Sequence, residues 1–350
     1  MNLSRAFRST KTRINLATLV IASTSLTRAF STESVASTCS NTNIIKDEDT
    51  MLATQQPPSI KIIPEDKLYK SEPNPMWFGN PSNPRFDDAW TNKNWLKSRF
   101  HFNFAEYSSG HNVDFGVLRV LNDDLVQPKR GFGAHPHRDM EIITYIVEGN
   151  LTHQDSTGSK ETLGRGSIQF MTAGTGIQHS EFNHENKPLR FVQTWITPRA
   201  RGLPANYGSY DASSQTLSTT LNKLQHLGSD AKNAAAATPV KLNQDVDCHA
   251  AELELGESVS ISVPKGRQAY LLCVEGSIQL GNDNDDKKKR TLHRHDAAEI
   301  VGSSSDNETI EIKSTAVEDT ENGKLAHFLM FTMKEAPGSG RRDIACLECE

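Results

Sequence analysis

The stretch "HPHRDMEIITYIVEG" (135–149) sets two histidines one residue apart and a glutamate four positions further on, in a run otherwise rich in Ile, Tyr and Val. Side chains on a strand alternate faces with a period of two, so His135 and His137 should point the same way, and Asp139 and Glu141 with them. Two imidazoles held side by side on a rigid strand can share one divalent ion, provided that another segment brings a third and fourth ligand to the open side. Half-exposed surface histidines would carry the same spelling, so the pair needs partners.

The same half of the chain offers them in "GRGSIQFMTAGTGIQHSEFN" (164–183), where His179 and Glu181 share one strand face. Gly-x-Gly steps around Arg165 and Thr175 allow tight corners at the mouth of a barrel. His135, His137, His179 and Glu181 then form a set of three imidazoles and one carboxylate, which leaves open positions on a six-coordinate metal.

Strands must position these residues. From Ser71 to Trp195, short apolar runs ("FGVLRVLNDD", "EIITYIVEG", "SIQFMTAG", "LRFVQTWITP") are bounded by Gly, Asn, Asp and Pro. The stretch from Arg201 to Asp247 has few large apolar residues and reads as a linker or crossover. Strand-like text resumes in "AELELGESVSISVP", "QAYLLCVEGSIQLG", "AAEIVG" and "LAHFLMFTM". Two all-β units follow, each closed or sandwiched because open antiparallel edges are costly. We expect a first barrel over 59–204, a linker over 205–246, and a second barrel over 247–350 ending in a short polar tail. "YIVEGNLTH" (145–153) and "LCVEGSIQL" (272–280) echo each other at an offset of 127 residues. At that offset Ser262, Pro264 and Gln268 stand where the first half has His135, His137 and Glu141, so only the first half should carry the metal chemistry.

The 350 residues suffice for two compact domains. With 38 Lys and Arg against 43 Asp and Glu, charge gives no argument for a nucleic-acid partner or an anionic membrane surface. Five cysteines, odd in number and unevenly placed, speak against a disulfide-stapled fold and fit a reducing compartment. Residues 1–32 carry Arg5, Arg8, Lys11, Arg13 and Arg28, no acid, and many Ser and Thr, the bias of an organelle transit peptide. A mitochondrial address is expected ahead of a plastid one, with a secretory signal as the competitor and cytoplasm or nucleus as the alternative. The polar stretch up to residue 58 reads as a tether.

The spacings G-x-H-x-H-x3-E and G-x2-H-x3-N (Gly176, His179, Asn183) resemble the two cupin signatures. "GFGAHPHRDMEIITYIVEG" and "MTAGTGIQHSE" resemble the pirin family in particular, as do "NDD" (122–124), "HQDS" (153–156) and "QTWI" (193–196). The likeness spans roughly residues 70–335 and is densest in the first half. It implies an all-β bicupin, two double-stranded β-helix (jelly-roll-like) barrels with one divalent metal in the first. That metal is usually iron, with Ni, Mn, Co, Cu and Zn as alternatives. The ligands it implies are His135, His137, His179 and Glu181. The broader cupin pattern would take its carboxylate from Glu141 instead, which the pirin likeness moves to a supporting place where it could orient an imidazole N–H. The implied reaction is the 2,3-dioxygenase opening of a flavonol such as quercetin, bound as its enolate, with Glu181 accepting the 3-hydroxyl proton and carbon monoxide and a depside leaving. Pirins also act as metal- and redox-dependent regulators that bind partner proteins, including transcription factors, so a non-catalytic iron sensor is the alternative. The expected partners are a planar flavonol and dioxygen.

Other motifs compete poorly. "HPHRD" fits the H-x-H-x-D run of binuclear zinc hydrolases, but Met140 stands where another histidine is usual. "HRH" (293–295) beside "DDKKKR" reads as surface histidines near a hairpin tip, and the terminal "CLEC" as a solvated tail. Aromatic residues of "MWFGN" (76–80), with Trp90, Trp95, Phe100, Phe102 and Phe104, should pack the core and lid of the first barrel.

Overall fold

A computed structural model describes residues 58–83, 94–110, 112–214, 220–281, 289–302, 309–315 and 325–336. The basic leader, most of the tether, Trp90, most of the "DDKKKR" run and the "CLEC" tail lie outside the described residues. Among those described, no helix is long and apolar enough to cross a membrane.

The first half folds into two facing sheets. The larger contains β2 (Tyr69–Ser71), β3 (Leu96–Phe100), β4 (Leu118–Val126), β6 (Glu141–Glu148), β9 (Ile168–Thr172), β11 (Leu189–Ile196) and β12 (Asn206–Tyr210), in the order β12-β9-β6-β11-β4-β3-β2. The smaller contains β5 (Gly131–His137), β7 (Leu151–Asp155), β8 (Lys160–Leu163) and β10 (Ile177–Phe182), in the order β5-β10-β7-β8. The second half repeats both. Its large sheet draws on β13 (Gln225–Asp230), β14 (Val240–Leu242), β15 (Val246–Glu254), β17 (Arg267–Glu275), β20 (Ala297–Val301) and β22 (Leu325–Lys334). Its small sheet runs β16 (Ser258–Ser262), β21 (Thr309–Ser314), β18 (Ser277–Leu280), β19 (Arg290–His293).

The chain opens with a strand that belongs to the other half. β1 (Ser59–Ile63) pairs antiparallel with β20, at the edge of the second large sheet that β12 occupies in the first. The expected first barrel over 59–204 is corrected accordingly. The expected linker over 205–246 is corrected too, since it contains β12, β13 and β14. These are short strands near sheet edges and need few large apolar residues, which is why the text between Arg201 and Asp247 resembles a linker. Gly208 in β12 is required by close approach: a Cβ there would sit 2.5 Å from the Phe170 ring.

Period-two alternation explains why the central strands read as unbroken apolar runs. In β6, Ile143, Tyr145 and Val147 join the apolar layer between the two large sheets, while Ile146 turns into the first barrel. In β17, Tyr270, Leu272 and Val274 face that layer and Ala269, Leu271 and Cys273 fill the second barrel. The layer also carries polar links between the halves. Tyr145 Oη donates to His327 Nε2 at 2.9 Å, and His327 Nδ1 donates to Glu275 at 3.2 Å. Arg190 is 1% exposed and grips Asp123 with two N–H groups at 2.7 and 2.8 Å, while a third donates to the Val274 carbonyl. His295 is no surface residue: its ring reaches Asp123 at 2.6 Å, delivered by a left-handed backbone (φ +76°).

Candidate metal centre

β5 and β10 are antiparallel neighbours, and their register sets His179 opposite His135. β5 places His135 and His137 on one face, as the alternation requires, with ring centroids 4.8 Å apart. His179 lies 4.5 Å from the first ring and 4.9 Å from the second. One nitrogen from each of the three residues lies within 4.8 Å of the others. Glu181 groups at the same spacing with His179 and His153, so His179 is common to two clusters. Of the four residues expected to act together, His135, His137 and His179 form one cluster, and Glu181 joins His179 in a second that takes in His153.

The arrangement of protons favours a cation. His135 Nδ1 donates to the Gly133 carbonyl at 2.7 Å, which leaves Nε2 with its lone pair. That Nε2 faces His179 Nε2 at 3.1 Å, and His137 Nε2 is buried without a hydrogen-bond partner. Burial pushes His137 down to about 3 and His179 down to about 2, with the neighbouring imidazoles pushing the same way. Three imidazoles that bring one nitrogen each this close, with His137 Nε2 otherwise unpartnered, are a donor set that a divalent first-row metal takes, so the residues fit such an ion.

Glu181, 2% exposed, is held by three donors. Gln169 Nε2 reaches Oε1 at 2.8 Å, Thr144 Oγ1 reaches the same oxygen at 3.2 Å, and Gln193 Nε2 reaches Oε2 at 2.7 Å. Gln193 also accepts from Trp195 Nε1 at 3.0 Å, and the Trp195 ring stands edge-on to His137 at 4.8 Å. Behind the cluster, His153 Nε2 donates to Asp155 at 3.0 Å, and its ring stacks on Tyr207 at 4.2 Å. His153 had a signal: "HQD" places a histidine and an acid two residues apart on β7, the other neighbour of β10, opposite Glu181. Asn183, the last residue of the second motif, staples a corner by donating to the carbonyls of Lys187 and Gln127.

Glu141 does not orient an imidazole. It accepts from Thr172 Oγ1 and the Asn243 backbone N–H, both at 3.1 Å. Two facts displace it. Asp139 takes a left-handed φ of +51°, which ends the shared face begun by His135, and Glu141 then starts a strand of the other sheet. Glu141 also has the parity of Ile143 and Tyr145, which face the inter-barrel layer, whereas Thr144 faces the site. Asp139 accepts from the Gly202 N–H at 2.7 Å and braces the turn.

The metal-free protein should lose stability in mild acid. His101, His137 and His179 titrate far below the ordinary imidazole value when folded, at about 3, 3 and 2. Below pH ~6.5 the unfolded chain therefore binds protons that the folded chain does not, and each such histidine costs up to ~1.4 kcal/mol per pH unit. Asp124, pushed up to about 8 by burial and by the Asp123 and Glu181 charges, offsets one of the three. Urea midpoints should fall between pH 6.5 and 5, and fall less in a His137→Gln, His179→Gln double variant. Equal slopes would contradict the assignment.

Two facing-sheet barrels in tandem, with a histidine cluster at the mouth of the first, define a bicupin. The family model described as Pirin matches residues 84–196, and that described as the quercetinase C-terminal cupin domain matches 231–331. The chain belongs to the pirin family. An Escherichia coli K12 protein named quercetin 2,3-dioxygenase is 35% identical over 190 residues, 54% of this chain and 78% of that one. A Caulobacter vibrioides pirin-like protein is 39% identical over 186 residues, 53% of this chain and 78% of that one. The crystal structure of Escherichia coli YhhW matches with a TM-score of 0.61 and 26% identity, over 79% of this chain and 99% of that one. That of the bacterial pirin YhhW with nickel(II) matches with 0.60 and 25%, over 79% and 100%.

Proposed function

We propose that the chain is a metal-dependent dioxygenase of the quercetin 2,3-dioxygenase type, with His135, His137, His179 and Glu181 as its ligands and a planar flavonol as its substrate. The observation that carries this reading is the convergence of three imidazoles beside a carboxylate held by three hydrogen bonds. The names of the relatives support the reaction class. A divalent metal, iron ahead of nickel or other first-row ions, would supply Lewis acidity and a meeting place for flavonol and dioxygen.

The chain's own residues do the positioning. Glu181 is the base for the flavonol 3-hydroxyl, and the three donors from Gln169, Thr144 and Gln193 hold its carboxylate in place. The edge of Trp195 beside His137, and Phe78 at 6.4 Å from His135, give a flat ring aromatic walls. Overall, one flavonol and one dioxygen become one depside and one carbon monoxide.

Purified protein loaded with Fe(II) and mixed with quercetin in air should bleach the flavonol's near-visible band and release one carbon monoxide per quercetin. Absence of bleaching with any first-row metal, while metal still binds, would overturn the oxygenase and leave the iron-sensing regulator as the reading of the same residues.

A further inference from the structure

β7 flanks β10 on the side away from β5, and its register sets His153 opposite Glu181 and Asp155 opposite His179. The period of two in "HQD" puts His153 and Asp155 on one buried face, with Gln154 exposed between them. His153 is 1% exposed, and its ring lies 5.3 Å from that of His179.

The tautomer of His153 is set from outside the cluster. A carboxylate only accepts, so the 3.0 Å contact between His153 Nε2 and Asp155 Oδ2 places the one proton of the neutral ring on Nε2. Asp155 is held in turn, its Oδ1 accepting from the Thr157 N–H at 2.8 Å, the Thr157 hydroxyl at 2.6 Å and the Ser159 N–H at 3.2 Å. His153 Nδ1 therefore carries a lone pair, and it is buried with no hydrogen-bond partner.

His179 reaches the same condition by another route. The Gly133 carbonyl only accepts, so His135 keeps its proton on Nδ1 and its lone pair on Nε2. His179 Nε2, 3.1 Å from that lone pair, is then the donor, and His179 Nδ1 is left with a lone pair of its own. That nitrogen too is buried without a partner. Two buried acceptors on adjacent strands have no donor between them, a costly state unless something pairs them.

Ligation supplies the missing donor. A metal takes a lone pair, so a His179 that ligates through Nε2 carries its proton on Nδ1. No proton enters or leaves the ring; it changes nitrogen. The new donor then stands beside His153 Nδ1, an acceptor that Asp155 has already prepared. An N–H···N bond of about 3 Å between two imidazoles sets their centroids about 5 Å apart, the spacing of these two rings.

We propose that His153 is a positioning residue for His179: its Nδ1 accepts the Nδ1–H of the ligated ring, in a chain from His179 through His153 to Asp155. The chain fixes the orientation and the tautomer of the ligand. The proposal rests on His179 being a metal ligand, as in the function proposed above, and is independent of any reaction with a flavonol.

The test loads the full chain, nitrogen-15 labelled in its histidines, with diamagnetic Zn(II). Imidazole nitrogen shifts should place the His179 proton on Nδ1 and the His153 proton on Nε2, with a scalar coupling between the two Nδ1 nuclei across the hydrogen bond. His153→Phe keeps a flat ring against Tyr207 but removes the acceptor, and should weaken Zn(II) binding by about 10–100-fold. Should that variant fail to fold, Asp155→Asn keeps the size of the side chain while its amide donates to His153 Nε2. The His153 proton then moves to Nδ1 and meets that of His179, so the coupling should vanish and Zn(II) binding should weaken as well. Absence of Zn(II) from His179 would overturn the ligand assignment and this proposal together. Zn(II) on His179 without the coupling, folded variants that bind as tightly as wild type, or Zn(II) on His153 itself would overturn this proposal alone.

Discussion

Replacing His179 with alanine should leave the protein unable to hold a divalent metal and abolish the proposed flavonol turnover, the largest effect expected of any single substitution. His179 belongs to the cluster with His135 and His137 and also to the one with His153 and Glu181. Its loss removes the donor common to both. Changing a group that merely supports a ligand typically costs 10–100-fold in metal affinity, so the loss of His179 itself should exceed about a hundredfold. Glu181→Ala should also lose metal. Glu141→Ala should keep it, because Glu141 bonds Thr172 and Asn243 on the other side of its strand. Metal content of the three purified variants, measured beside their rates, checks this directly. Full metal in Glu181→Ala with none in Glu141→Ala would return the carboxylate to the place that the broader cupin pattern gives it.

The largest effect on stability should come from Arg190. Its side chain lies in the layer between the barrels, clasping Asp123 of the first and the Val274 carbonyl of the second. Burial alone would raise the Asp123 carboxyl, but the Arg190 guanidinium holds it well below the usual carboxylate range. Arg190→Met leaves that buried carboxylate with only the His295 ring to bond it, and breaking such a buried pair costs about 3–5 kcal/mol. Adding Asp123→Leu removes the stranded charge and should recover a good part of the loss, a coupling that a double-mutant cycle in urea reads out. Independent, additive losses would show that the two side chains do not act as a buried pair.

The two predictions draw on features that the sequence shows unequally. The histidine cluster is legible because its logic is local: a period of two puts His135 and His137 on one face, and the motif containing His179 and Glu181 lies on the antiparallel neighbour. The same logic fails two residues later. Nothing in "RDME" announces that Asp139 turns left-handed and that Glu141 begins a strand of the opposite sheet. The donors to Glu181 come from three further strands, and only their pairing identifies them. The role of His295 required the second barrel to be docked on the first, and the seat of β1 depended on an edge more than two hundred residues away.

The most direct test of the converging imidazoles is X-ray absorption at the iron edge of the Fe(II)-loaded full chain, with His135→Ala and His137→Ala beside it. The account predicts three imidazole nitrogens and further oxygen ligands around one iron, with each substitution removing the ion or one imidazole from its shell. An iron whose spectrum keeps the same number of imidazoles in both variants would contradict it.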